Sequence, residues 1–181
     1  MRPTSNHSPL SGAAGFRFAI VVSRFNERIT EALREAARAA LREAGAADAD
    51  VEEMHVPGAF ELPQAARCVA ETGKFDAVLC LGCVIRGGTP HFEYISAATA
   101  HGVMSAAGDS GVPMAFGVLT TDTEAQADER AGPGPDNKGR EAAAAAIEMA
   151  QLFRRMGRPA ARAGGGRPFG FAAGVETGHE R

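Results

Sequence analysis

Cysteine is scarce in this chain: Cys68, Cys80 and Cys83 are the only three among 181 residues. They are too few for a disulfide framework, and one would always be left over, so a reducing compartment fits best. An excess of charge of one sign is missing too. Nineteen basic against twenty-two acidic side chains leave a net charge of -3, which removes any general attraction to nucleic acid or anionic lipid and leaves anion binding to local groups. No apolar run approaches the roughly 20 residues that span a membrane. The opening stretch MRPTSNHSPLSGAAG is polar and lacks the apolar centre of a secretory signal. A soluble, cytoplasmic protein is expected. The length suits about one domain with a real hydrophobic core.

What the chain does have is alternation. FRFAIVV, from Phe16 to Val22, is a short β-rich run, and the next segment places Ile29, Leu33, Ala36, Ala37, Ala40, Leu41 and Ala44 on one helical face. Asn26 suits the cap of that helix and Gly45 its end. Glu31 with Arg34, and Glu35 with Arg38, stand three apart on its outer face. VEEMHV, from Val51 to Val56, reads as a second strand, and a short helix is expected from about Glu61 to Thr72. AVLCLGCVI, from Ala77 to Ile85, is continuously apolar, as a parallel strand covered on both faces would be. A helix follows from His91, with Pro90 suited to its first turn. VPMAFGVLTT, from Val112 to Thr121, is a fourth strand, DTEAQADERA a short helix, and GPGPDN a loop. The last helix starts after Asn137, contains the alanine run Ala142 to Ala146, and ends near Met156.

Four strands alternating with helices predict a parallel sheet covered on both faces, a three-layer α/β/α domain over residues 16–156. Residues 1–15 are expected to be a flexible N-terminal segment, and 157–181 a disordered tail rich in Gly, Arg and Pro. In such a fold, ligands bind in the loops leaving the carboxyl ends of the strands. Here those loops are SRFN, PGAFE and RGGTPH.

RGGTPH carries the strongest chemistry. Gly87, Gly88 and Thr89 offer unhindered backbone N–H groups, a hydroxyl and the positive end of the following helix, which together suit a phosphate. From Gly82, GCVIRGGT matches a nucleotide P-loop except that Gly88 stands where the phosphate-binding lysine belongs. That exception argues against nucleoside triphosphate hydrolysis. His91 lies just beyond the cradle, and imidazole can give and take protons near neutrality. In CLGC the cysteine spacing invites a redox or metal reading, but Cys80 falls inside an apolar strand and no second pair exists, so both read as small core residues. Phe25 and Phe60 either stack on a planar ring or complete the core. Glu61 either accepts hydrogen bonds from ligand hydroxyls or begins a helix. Arg130 and Lys138 flank the Gly/Pro loop and either meet an anion or form surface ion pairs.

Taken together and in order, SRFN, VPGAFELP, LGCVIRGGTPHFEYI, FGVLTTDTEAQADERAG and NKG closely resemble the 6,7-dimethyl-8-ribityllumazine synthase family of riboflavin biosynthesis. The resemblance covers about Phe16 to Met156. It implies a flavodoxin-like fold and a transferase that condenses 5-amino-6-(D-ribitylamino)uracil with 3,4-dihydroxy-2-butanone 4-phosphate, with no cofactor and no metal. It implies His91 as the proton carrier and Gly88, Thr89 and Arg130 as phosphate ligands. Phe25 would stack on the pyrimidine, Ala59, Phe60 and Glu61 with Cys83, Val84 and Ile85 would hold the ring edge and ribityl chain, Phe116 would wall the pocket, and Lys138 would sit near the ring or phosphate. It also implies a site shared between neighbours in a pentamer, assembled singly, in pairs or as a sixty-subunit shell. The prolines of AGPGPDNKG and the long tail depart from the common pattern and leave the assembly beyond a pentamer open. The runner-up is a flavin- or lumazine-binding protein without turnover; a phosphoacceptor receiver domain lacks its aspartate after strands one and three.

Overall fold

A computed structural model of the chain describes residues 10–157. The expected tail, apart from Gly157, lies outside the described residues, as do positions 1–9. Four strands, β1 (Phe18–Ser23), β2 (Val51–Val56), β3 (Ala77–Ile85) and β4 (Met114–Thr121), form one parallel sheet in the order β2-β1-β3-β4. The helices are α1 (Glu27–Glu43), α2 (Leu62–Glu71), α3 (His91–Ser110), α4 (Glu124–Ala131) and α5 (Lys138–Arg155). Because successive side chains in a strand point to opposite faces, each strand feeds two cores. Phe18, Ile20, Val22, Leu79, Leu81 and Cys83 pack toward α1, α4 and α5, while Ala19, Val21, Val78, Cys80 and Val84 pack toward α2 and α3. This is the expected three-layer fold, with a flavodoxin-like strand order whose direction of travel reverses between β1 and β3.

Several joints explain how the elements meet. Helix α1 ends as expected at Gly45, whose φ of 100° lets Gly45 N–H reach the Arg42 carbonyl and Ala46 N–H the Leu41 carbonyl, both at 3.0 Å. Helix α5 crosses α1 closely at Gly139, where an added Cβ would stand 2.0 Å from the Leu33 carbonyl oxygen. Ala142, Ala143 and Ala146 bury the inner side of α5 with no bulk to hold it away. Residues 10–15 belong to the expected flexible segment, yet Ala13 is fully buried, its N–H donates to the Ala44 carbonyl, and Gln151 donates to the carbonyls of Ser11 and Gly12.

One local expectation is corrected. Asn26 precedes α1 but does not cap it with its side chain, because its backbone is left-handed and the amide points elsewhere. On the outer side of α1, Glu31 and Glu35 both pair with Arg34. Arg38 reaches off the helix to Glu53 on β2 at 2.8 Å, a partner that only the packing of α1 beside β2 supplies.

Candidate active site

The carboxyl ends of β2, β1 and β3 bring most of the expected residues to one edge of the sheet. After β1 the ladder continues for two residues: Arg24 N–H donates to the Val56 carbonyl at 2.8 Å and Phe25 N–H to the Pro57 carbonyl at 3.2 Å. Phe25 N–H also meets the buried Ser23 hydroxyl at 3.2 Å, so the backbone is anchored while the ring is 67% exposed. After β2, Ala59, Phe60 and Glu61 form a single 3-10 turn; Ala59 is buried and Phe60 is 60% exposed. That turn is pinned from α3, where the fully buried Thr99 hydroxyl donates to the Ala59 carbonyl at 3.2 Å. Neither phenylalanine completes the core, so both rings are free to meet a ligand.

Cys83, Val84 and Ile85 end β3, and the cradle follows. A Cβ built on Gly87 or Gly88 would touch nothing within 4 Å, and neither glycine has positive φ. Their value is therefore the open approach they leave to the backbone rather than a special conformation. Thr89 and Pro90 lead into α3, whose first residue is the exposed His91. A 20-residue helix begins here, so its free N–H groups and dipole favour an anion at Gly88 and Thr89. The loop is braced by Arg86, whose guanidinium pairs with Glu93 of α3, with Asp122 beyond β4 at 2.7 Å, and lies over the Phe92 ring at 4.3 Å. Arg86 holds the Glu93 carboxyl below its usual range.

Cys80 and Cys83 lie three residues apart in a strand and so face opposite layers. They cannot pair or share a metal. Burial pushes the Cys80 thiol up to about 12 and the Cys83 thiol up to about 11, consistent with core residues. Among the described residues no group of three or more His, Cys, Asp or Glu side chains gathers as a metal site would require.

Phe116, Arg130 and Lys138 stand apart from that edge. In the β3–β4 register Phe116 lies beside Cys80 and Thr121 beside Ile85. Phe116 is thus five residues, or roughly 16 Å, back from the end of the sheet. It is 43% exposed on β4, the edge strand, and shares an open depression of about 410 Å³ with Arg130 and Lys138. There Arg130 donates to the Gln126 carbonyl at 2.8 Å, and Lys138 pairs with Glu141 at 2.6 Å. Asn137 joins the two elements that carry these cations. Its amide donates to the carbonyls of Ala131 and Gly132, and its oxygen accepts from Gly139 N–H.

Sequence reasoning missed Thr99 and Arg86, and it assigned Asn26 a capping role. Arg86 carried a signal, a cation between an apolar strand and two glycines; Thr99 carried none.

An open parallel sheet with a glycine-rich loop and an exposed histidine at the carboxyl end of β3 defines an α/β protein of the class that binds small ligands at its strand ends. A sequence model of 6,7-dimethyl-8-ribityllumazine synthase matches residues 15–154. The 6,7-dimethyl-8-ribityllumazine synthase of Syntrophus aciditrophicus (strain SB) is 54% identical over 144 residues, which cover 80% of this chain and 94% of that protein. The chain belongs to the 6,7-dimethyl-8-ribityllumazine synthase family.

Proposed function

We infer that this chain condenses 5-amino-6-(D-ribitylamino)uracil with 3,4-dihydroxy-2-butanone 4-phosphate to 6,7-dimethyl-8-ribityllumazine, a step of riboflavin biosynthesis, with release of phosphate and water. The observation that carries the reading is family membership across the whole α/β unit, joined to a glycine-rich loop and a histidine at the carboxyl end of β3. The pyrimidine stacks on Phe25. Ala59, Phe60 and Glu61 on one side, and Cys83, Val84 and Ile85 on the other, hold its edge and the ribityl chain. Gly88 and Thr89 take the phosphate of the butanone.

The amino group of the pyrimidine attacks the ketone carbon, and loss of water leaves a Schiff base. Removal of a proton beside it lets the C–O bond to phosphate break, and the ribitylamino nitrogen then closes the ring as a second water leaves. Each step needs a proton moved, the role this reading gives His91 beside the glycine loop. Holding two reactants in register supplies much of the acceleration, because a bimolecular encounter becomes a unimolecular step.

Phe116, Arg130 and Lys138 complete this site from a neighbouring copy. Two observations support the sharing. The first is the separation of Phe116 from the strand ends within one chain. The second is α3, whose 20 residues bury only Thr99, Val103 and Ala106 and leave Tyr94 and Met104 about 70% exposed on an alanine-rich surface. A helix with so much apolar exposure belongs against another subunit. The smallest assembly on this reading is a pentamer.

Mixing the purified protein with both substrates should give lumazine fluorescence and free phosphate together. Sedimentation run on the same sample should find activity only in the oligomer; active monomers would overturn the shared site.

A further inference from the structure

We propose that the Asn26 side chain positions the pyrimidine half of the site, by setting the spacing between the Phe25 loop and the Cys83 to Ile85 segment. The inference rests on the site reading above. Asn26 is the one non-glycine with positive φ among the described residues, at 60°. Asparagine tolerates that left-handed conformation better than most residues. Residues held there tend to cluster where a site needs them. An asparagine before a helix ordinarily turns its oxygen onto the free N–H groups of the first turn. In the left-handed conformation the Asn26 backbone still opens α1, its carbonyl accepting from Ile29 and Thr30 N–H at 2.9 and 3.1 Å, but the side chain is released from capping.

The released amide crosses to the next strand. Asn26 Nδ2 donates to the Cys83 carbonyl at 3.0 Å. Cys83 lies two residues beyond the last β1–β3 pair, Val22 with Leu81, so the side chain extends the link between these strands after their own ladder has stopped. This is the crevice where the strand order reverses, the place where such folds bind ligands. Directly before Asn26 is Phe25, anchored by its own N–H to Pro57, just beyond β2, and to Ser23. Directly after Cys83 are Val84 and Ile85. The amide therefore ties the ring that stacks on the pyrimidine to the segment that meets its edge.

Two variants separate the amide from the backbone. Asn26→Gly keeps the left-handed turn and removes the donor; Asn26→Asp keeps turn and shape but sets an acceptor against the Cys83 carbonyl. Binding of 6,7-dimethyl-8-ribityllumazine to the intact oligomer, followed by its fluorescence, should weaken about three- to tenfold in both, the scale of one lost hydrogen bond. The KM for the pyrimidine should rise by a similar factor, while that for the butanone phosphate stays within about twofold. Unchanged product affinity would overturn the positioning role, as would a parallel rise in both KM values, which general loosening of the fold produces. Phe25→Ala serves as the reference in the same titration. If it leaves product affinity intact, the site reading fails and this inference with it; if it weakens binding while the Asn26 variants do not, the positioning role alone fails.

Discussion

His91 occupies the first residue of α3, exposed and adjacent to the glycine cradle. A positioned proton carrier contributes about 10²–10⁴-fold, and the rest of the acceleration comes from holding the reactants. His91→Ala should therefore lower kcat by about 10²-fold or more yet leave measurable turnover in steady-state kinetics. An unchanged kcat would remove His91 from the chemistry. Arg130→Ala should act differently, raising the KM for the butanone phosphate, because on the proposed reading it removes the charge that would meet the phosphate. The cysteines give a further check at this scale. Burial pushes the Cys80 and Cys83 thiols up to about 12 and about 11, so both stay protonated and inert at pH 8, whereas Cys68 is exposed. A thiol reagent should label one cysteine per native chain and three after unfolding; labelling of Cys80 in the native protein would contradict its place in the core.

Among the elements, the crossing of α1 and α5 is the tightest joint. Gly139 sits so close to Leu33 that an added methyl would meet backbone, which cannot step aside as a side chain can. Gly139→Ala should cost about 3 kcal/mol or more by overpacking, read as a Tm lowered by roughly 6–12 °C. A Tm within a degree of the parent would show that the helices can separate without loss. Beside it, Asn137 is buried and bonds to both ends of the loop between α4 and α5. Because Arg130 and Lys138 flank that loop, a shared site would depend on its shape for how the pair is presented to a neighbouring copy.

For the whole molecule, a shared site has a consequence that a site within one chain lacks. His91 and Arg130 of one functional site would come from different copies. Co-expressed His91→Ala and Arg130→Ala chains should then assemble into oligomers in which about a quarter of the sites regain both groups, if the copies mix at random in a cyclic ring. Activity well above either variant alone is the expected result. Mixed oligomers no more active than the better variant would place both residues in one chain's site.

Much of this protein was legible in its sequence because strand and helix patterns are local. The period of two or of 3.6 depends only on near neighbours, so the alternation of elements and β3 itself followed from residues within a turn or two of one another. The residues of RGGTPH and their place after a strand were legible for the same reason. What the tertiary structure alone decided involves partners far apart along the chain. The strand order β2-β1-β3-β4 set the crevice between β1 and β3. It also put Cys83 within reach of Asn26, 57 positions away, and so turned an apparent helix cap into a cross-strand tie. The β3–β4 register placed Phe116 beside Cys80 and away from the strand ends, a separation that spacing along the sequence does not encode. Local preference names the elements, but the burial of two apolar faces on one sheet determines which of them become neighbours.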